Sequence, residues 1–207
     1  MASIVTTKTW VPLAEVMGYC NVGPERTREM EHLLNEVVDA IESEIERPVL
    51  TATYTNELYN GTGEGELFLR AWPVTTLTRV EFLEGVTDTT ETWTEYHSAR
   101  ATAYVSERGK QSIYFRALCF PEGMRNVRVT YVAGYSKDGL ASIPKVPQDL
   151  KTALKETALE WFKMADLQLA GLSSVRGPMG ETTTYRERFQ FPAHVLPILS
   201  RYRKLGC

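Results

Sequence analysis

Residues 24–48 read PERTREMEHLLNEVVDAIESEIERP, the stretch with the clearest hydrophobic periodicity in the chain. Apolar side chains recur there at steps of three and four residues, the spacing of one face of an α-helix. They are Met30, Leu33, Leu34, Val37, Val38, Ile41 and Ile45. Pro24 suits a first helical position and Pro48 marks a stop, so we predict a long amphipathic helix. Its opposite, acidic face carries Glu25, Glu29, Glu36, Asp39, Glu42, Glu44 and Glu46.

Two further helices are predicted on either side of a β-rich middle. Residues 10–19 form a short helix candidate, and a longer helix starts at Pro147 with an apolar stripe wide enough to pack on the first long helix. That stripe consists of Leu150, Ala153, Leu154, Ala158, Trp161, Phe162 and Ala165. Between the helices the hydrophobic period changes to two, which indicates strands. The connections between these predicted strands are too short for the crossovers that parallel strands need, so we expect antiparallel strands.

These patterns together predict an α+β fold. Its helical frame packs the long N-terminal and C-terminal helices together, and an antiparallel β unit of five or six strands is inserted at about residues 49–136. Residues 1–170 are expected to form a single domain. Residues 171–207 follow as an extended C-terminal arm, because its early part is rich in Gly, Ser and Thr, and the arm ends in a short helix at residues 193–203.

A glycine-rich run lies between two predicted strands. Residues 51–58 alternate in polarity and lead into Asn60-Gly61, and residues 66–70 read as the next strand. We therefore predict a β-hairpin closed by this run. Glycine-rich loops also cradle phosphates, but a cradle needs a helix N-terminus or a lysine after the glycines. Here a strand follows, and Glu64 and Glu66 would repel an anion.

Composition excludes several classes of protein. The 207 residues carry 23 Lys and Arg against 26 Asp and Glu, a formal net charge of −3, which does not suit a protein that grips nucleic acid by its phosphates. No apolar run approaches the roughly 20 residues that span a bilayer, and the first ten residues lack a signal-peptide layout. We therefore expect that the protein is made in the cytoplasm and does not associate with a membrane. Cys20, Cys119 and Cys207 are expected to be free thiols.

The sequence offers no catalytic or metal-binding constellation, and no cofactor is expected. His32, His97 and His194 are scattered and lack ligand spacing. Cys119 lies between apolar neighbours and is expected to be a packed strand residue rather than a nucleophile. An alternative from a different class is a small ligand-binding or enzymatic β domain. Its pocket would be lined by Trp93, Tyr96, Tyr104 and Tyr114.

The end of the arm concentrates aromatic, aliphatic and basic side chains. Such a mixture suits an anchor in a protein groove, where apolar side chains are buried and arginines pair with acidic groups at the rim. We therefore favour a protein partner over nucleic acid, and expect the arm to be mobile in the free subunit and ordered on its partner. The predicted anchor residues are Phe189, Phe191, Leu196, Ile198, Leu199, Arg201, Tyr202 and Arg203.

Several motifs occur in order along the chain. They are the helix end Ile45-Glu46-Arg47-Pro48, the turn Tyr59-Asn60-Gly61-Thr62-Gly63 running to Leu67-Phe68-Leu69-Arg70, Trp72-Pro73-Val74, the strand of residues 127–135 that ends in Ala133-Gly134-Tyr135, the helix start Val146-Pro147-Gln148-Asp149-Leu150-Lys151, and the closing run Val195-Leu196-Pro197-Ile198-Leu199-Ser200-Arg201-Tyr202-Arg203. As an ordered set, they resemble the head-tail connector (adaptor) proteins of tailed bacteriophages and related gene transfer agents, and the likeness covers nearly the whole chain. The Thr-rich segment 86–103 is longer than in that family, which predicts an elaborated β insertion.

The resemblance implies a structural virion protein of the neck, at the head-tail interface, and not an enzyme. It implies a homo-oligomeric ring of twelve subunits that docks below the portal protein, extends the DNA channel and presents a surface for the stopper or tail protein. Packaged double-stranded DNA is then expected to pass without specific binding, because acidic side chains repel its phosphates. The acidic candidates for the channel are Glu29, Glu36, Asp39, Glu42 and Glu46. The alternative within the same neck is a tail-completion or stopper protein.

Overall fold

A computed structural model of the chain describes residues 8–87, 90–95, 103–107, 110–116, 118–138, 143–166, 174–176, 182–184 and 190–203. It combines α-helices with antiparallel sheets, so the predicted α+β class is confirmed. The chain divides into two compact units. Residues 1–46 and 146–203 form the helical unit, and residues 47–145 and 204–207 form the β unit.

The helical unit contains four helices and a short pair of strands within the described ranges. The helices are α1 (Leu13–Cys20), α2 (Thr27–Ile45), α3 (Gln148–Asp166) and α4 (Leu196–Ser200). Helix α3 contacts each of the other three, which makes it the centre of the unit. The predicted apolar stripe of α2 is confirmed, because all seven of its side chains are buried. Two three-residue strands, Ser174–Arg176 and Thr182–Thr184, pair antiparallel inside the region predicted to be an extended arm.

The ends of the helices differ from the sequence prediction in detail. Pro24 opens a 3-10 turn, and α2 itself starts at Thr27, whose hydroxyl donates to the Pro24 carbonyl oxygen at 2.6 Å. The helix ends before Pro48, because Glu46 adopts a left-handed conformation with φ of 58° and caps it. Within the predicted terminal helix at residues 193–203, α4 spans five residues and turns flank it on both sides.

The β unit contains seven strands within the described ranges. They are β1 (Ala52–Gly61), β2 (Glu66–Phe68), β3 (Val74–Val86), β4 (Glu91–Glu95), β5 (Ala103–Val105), β6 (Ser112–Phe115) and β7 (Gly123–Ala133). One sheet has the order β1-β7-β3-β4, the other the order β2-β6-β5, and all pairs are antiparallel as predicted. Alternate residues of β7 enter the core between them, namely Val127, Val129, Tyr131 and Ala133.

The predicted hairpin between residues 51–58 and 66–70 is wrong. Strand β1 pairs with β7, and β2 pairs with β6, so the glycine-rich run connects two different sheets. Gly61 is needed for a close approach of two backbones, because a Cβ atom there would lie 1.7 Å from the Pro121 carbonyl oxygen. Its N–H donates to the Asn126 side chain at 2.8 Å, which fixes the end of β1.

A polar network lies among the buried side chains of the β unit. The Glu57 carboxylate accepts hydrogen bonds from the Tyr59 hydroxyl at 2.6 Å and from the Tyr131 hydroxyl at 2.7 Å. The Tyr59 hydroxyl also accepts the backbone N–H of Arg70 at 3.1 Å. Burial raises the pKa of both phenols, so they stay protonated well above neutral pH. The network therefore ties β1 and β7 to the chain that follows β2.

We predict that Tyr131→Phe destabilises the protein by about 1–3 kcal/mol, because buried partners lose a hydrogen bond. Equilibrium urea unfolding measures the change in the free energy of unfolding. Tyr104→Phe is the matched control, since the Tyr104 ring is 37% exposed, and its change is expected to stay within about 0.5 kcal/mol. Equal losses in the two variants contradict this role of the network.

The two phenols also predict a pH dependence of the free energy of unfolding. Because folding raises the pKa values of Tyr59 and Tyr131, their contribution to stability is present at neutral pH and is lost as the pH rises above about 10.

Candidate partner-binding surfaces

The C-terminal segment 190–203 packs on the helices of its own chain. The Trp161 indole N–H donates to the carbonyl oxygen of Gln190 at 3.0 Å, and the Trp161 and Phe191 rings lie 6.2 Å apart. Val195 and Leu199 are almost completely buried, with exposures of 0% and 1%. Val195 and Leu199 therefore complete the core of the helical unit.

Two polar contacts tie the last turn of the segment to the helices. The Tyr202 hydroxyl contacts both Asp149 carboxylate oxygens, at 2.7 and 2.8 Å. The Arg203 guanidinium pairs with Glu46 at 2.7 Å, and this bond raises the pKa of Arg203. We call Glu46, Asp149, Tyr202 and Arg203 the C-terminal latch. The Arg203 pair is open to solvent, where screening leaves ion pairs weak, so the Tyr202 bond contributes most to the latch.

The predicted anchor residues separate into two groups. Leu199 lies inside the helical unit, and Tyr202 and Arg203 belong to the C-terminal latch, so these three bind the protein's own helices. The others that the structure describes still reach solvent, and we call Phe191, Leu196, Ile198 and Arg201 the terminal surface. Leu196 is the most open of the apolar three, at 43% exposure. Phe189 lies outside the described residues.

Sequence reasoning missed the acceptors of the C-terminal latch, Glu46 and Asp149. One signal for the packing was present, because Val195 and Leu199 are spaced one helical turn apart. The partner of that turn is distant in sequence, and its position follows only from the packing of α3 and α4.

The five predicted channel carboxylates lie on α2 and at its C-terminal cap, and three of them pair with cations of the same chain. Glu29 pairs with Arg26 at 2.8 Å, and the hydrogen bond from Arg26 lowers the pKa of Glu29. Asp39 pairs with Lys8 at 3.3 Å, and Glu46 belongs to the C-terminal latch. Glu42 is half-buried, whereas Glu36 is exposed and has no cation partner within the described ranges. The face is therefore less negative than its composition indicates.

The two cysteines that the structure describes differ in exposure. Burial raises the pKa of the Cys20 thiol. Cys119 is exposed and lies beyond β6, so its predicted place as a packed strand residue is wrong. Across the described ranges, no three His, Cys, Asp or Glu side chains are placed to hold a metal ion.

The proposed aromatic pocket is also not assembled by the described residues. Trp93 lies on β4 of the four-stranded sheet and stacks over Arg128, whereas Tyr104 and Tyr114 lie on the three-stranded sheet. Tyr96 lies outside the described residues. None of the helices in the described ranges is both long and apolar enough to span a membrane.

We predict that Tyr202→Phe loosens the segment 190–203 while leaving the rest of the helical unit unchanged. Hydrogen exchange of backbone amides in this segment should accelerate on the order of fivefold or more, because a bond to a carboxylate is lost. Mass spectrometry of the exchanged protein measures this directly. Arg201→Ala serves as the control, since Arg201 is exposed and does not belong to the C-terminal latch. Unchanged exchange in Tyr202→Phe contradicts the latch.

Solved structures with a similar fold come from gene transfer agent (GTA) particles. A chain from the neck of an empty GTA particle computed with C6 symmetry is 16% identical, and the alignment covers 100% of this chain and 94% of that chain with a TM-score of 0.53. A chain from the virion of a native GTA particle is 15% identical over the same shares, with a TM-score of 0.49. At such identities the likeness concerns the fold alone. The evidence for the shared fold is the first structure, whose TM-score is 0.53. No curated protein matches this chain.

A protein-family model described as head completion protein matches residues 11–205. The match spans both units, from the residues before α1 to the end of the C-terminal latch. It agrees with the family resemblance predicted from the order of the sequence motifs, which is thereby confirmed. The chain therefore belongs to the head completion protein family.

Proposed function

We propose that the protein is the head-tail adaptor of a tailed-phage or GTA-type particle. Copies of the chain form a ring below the portal, extend the DNA channel and present the attachment surface for the stopper or tail. The observation that carries this proposal is the head completion match over residues 11–205. Its place is the neck of the virion, and it is assembled in the host cytoplasm.

A ring is supported by the symmetry of the GTA neck in which the chain with a similar fold occurs. That neck was computed with C6 symmetry, which is compatible with a ring of twelve copies. Cyclic rings are built by repeating one head-to-tail contact between unlike surfaces. The number twelve follows from the resemblance to the adaptor family rather than from any contact within the chain.

The second candidate is a stopper or tail-completion protein of the same neck. The adaptor is favoured because the ordered motifs, among them Pro147-Gln148-Asp149-Leu150 and the closing run 195–203, resemble the adaptor family. The two roles differ in their neighbour, since an adaptor contacts the portal and a stopper contacts the adaptor. Mixing the purified protein with portal-bearing heads that lack all other neck proteins distinguishes them, because only an adaptor attaches.

The terminal surface is the proposed contact with the portal. Its exposed Leu196 and half-buried Ile198 provide apolar area, and Arg201 provides a guanidinium for an acidic rim group. Phe189, which precedes the described part of the segment, belongs to the same proposed contact. The expectation of an arm that is mobile until it binds is not kept for this part of it. The C-terminal latch holds α4 on the chain's own helices, so the proposed surface is ordered before the portal is bound, and less entropy is lost on docking.

We predict that Leu196→Ser combined with Arg201→Glu weakens attachment to portal-bearing heads by about tenfold or more, because an anchor and a charge pair are lost. Circular dichroism should be unchanged, since both side chains face solvent. Arg28→Glu is the control, an exposed arginine on α2 outside the terminal surface. Attachment of the double variant with wild-type affinity contradicts the assignment of this surface to the portal.

The exposed acidic side of α2 is the proposed lining of the channel. Glu36 is its strongest candidate, because Glu29, Asp39 and Glu46 already pair with cations of the same chain. A weakly negative lumen repels DNA phosphates enough to prevent capture. Packaged DNA then slides through without specific binding.

We predict that rings carrying Glu36→Lys bind a double-stranded DNA fragment on the order of tenfold more tightly at low salt than wild-type rings, and that the gain disappears at high salt. Fluorescence anisotropy of labelled DNA measures the affinity. Glu84→Lys is the control, an exposed carboxylate on β3. If Glu36→Lys changes DNA binding no more than Glu84→Lys does, Glu36 does not line the channel.

A further inference from the structure

Strand β7 begins with two exposed side chains. Met124, its second residue, has 84% of its surface exposed, the largest fraction among the exposed large apolar side chains of the described residues. An isolated surface methionine has little effect on folding, but Met and Arg are enriched where protein surfaces meet. Arg125 follows it directly and is also exposed.

The start of β7 is held firmly in spite of its exposure. The backbone N–H of Arg125 donates to the Asn60 side chain at 2.8 Å. The buried Asn126 side chain accepts the Gly61 N–H and donates to the Pro121 carbonyl oxygen, both at 2.8 Å. The start of β7 is thus attached to the end of β1 and to the preceding Pro121.

The backbone at Arg125 is also strained. Arg125 has a φ of 51°, in the left-handed region that non-glycine residues rarely adopt. Asn56 on β1 has a φ of 55°, where the strand pairing is irregular. Such conformations persist only where the surroundings hold them, and they concentrate at functional surfaces. Met124 and Arg125 are therefore presented in a fixed, preorganised geometry.

An open cleft of about 540 Å³ lies beside the start of β7. Its lining, which we call the Met124 surface, consists of Asn56, Leu58, Asn60, Arg70, Met124 and Arg125. The Arg70 guanidinium forms an ion pair with the Glu57 carboxylate at 3.1 Å, whereas Arg125 has no carboxylate partner within the described ranges. The surface combines an apolar centre, Leu58 and Met124, with two guanidinium groups and two side-chain amides.

This composition fits a protein partner with carboxylates beside an apolar side chain. Guanidinium groups bind carboxylates through paired hydrogen bonds, and apolar area at the centre of a contact supplies affinity. A nucleic-acid backbone would leave Leu58 and Met124 without an apolar partner. The chain itself carries 26 acidic residues and a net charge of −3, so a second copy offers carboxylates in excess.

We infer that the Met124 surface is the contact between neighbouring copies in the ring, and that it binds an acidic segment of the next subunit. The inference rests on the proposed function, because a ring requires one surface of each copy to bind a different surface of the next. Arg125, unpaired within the described ranges, meets that requirement, since two copies of this surface would place like charges against each other, whereas carboxylates elsewhere on a neighbouring copy attract Arg125.

The test is the occupancy of portal-bearing heads by the purified full-length protein, counted particle by particle in electron micrographs as the concentration rises. Contacts between copies make wild-type occupancy all-or-none, so heads carry either no subunits or a complete ring. Arg125→Glu and Met124→Ser should give partly filled portals and raise the half-saturating concentration by about tenfold. Both side chains face solvent. Arg125→Glu replaces one residue that has a Cβ atom with another, so the left-handed backbone at this position is equally strained in the two proteins. Arg116→Glu, an exposed arginine beside Tyr104 on the β unit, is the matched control and should fill portals as the wild type does.

The outcomes separate the two proposals. If wild-type and variant subunits fill portals with the same all-or-none pattern, the inference is overturned while the adaptor function stands. If wild-type subunits bind each portal site independently, copies do not contact one another and the inference is likewise overturned. If the wild type does not bind portals at all, the proposed function fails and the inference fails with it.

Discussion

The burial of the apolar stripe of α2 is the constraint on which the rest of the helical unit depends. Its seven buried side chains each contribute about 1.5–3 kcal/mol, on the order of 10–20 kcal/mol before chain entropy is subtracted. This burial packs α2 on α3, and α3 in turn contacts α1 and α4. Glu46 follows the end of α2 and Asp149 lies in the first turn of α3, and both bind the last turn of the C-terminal segment. The C-terminal latch is thus a consequence of the helix packing.

The sequence predicted the local elements well, because their signals are local. The three- and four-residue spacing in residues 24–48 identified α2, and the alternation of Val127, Val129 and Tyr131 identified the buried face of β7. The α+β class followed from the change of period between them. The helix boundaries shifted by a few residues where a left-handed residue, Glu46, ended α2 before the proline.

What the sequence did not reveal is the pairing between distant segments. Strand β1 bonds to β7, about seventy residues away, and the cue for a hairpin at Asn60-Gly61 was misleading because Gly61 serves the approach of Pro121. The same limit applies to the candidate surfaces. Nothing local shows that Leu199 completes the core, or that Arg26, Lys8 and Arg203 partly neutralise the acidic side of α2. Each of these facts depends on side chains that meet only after folding.

The proposed role depends on whether copies of this chain form a ring directly on the portal. Electron microscopy of portal-bearing heads that lack all other neck proteins, after addition of the purified chain, shows whether they do. We expect an added ring of density, coaxial with the portal and in contact with its lower face. Heads that remain bare under these conditions, but gain the density once another neck protein has been added first, would exclude the adaptor role and assign the chain to a position below the adaptor.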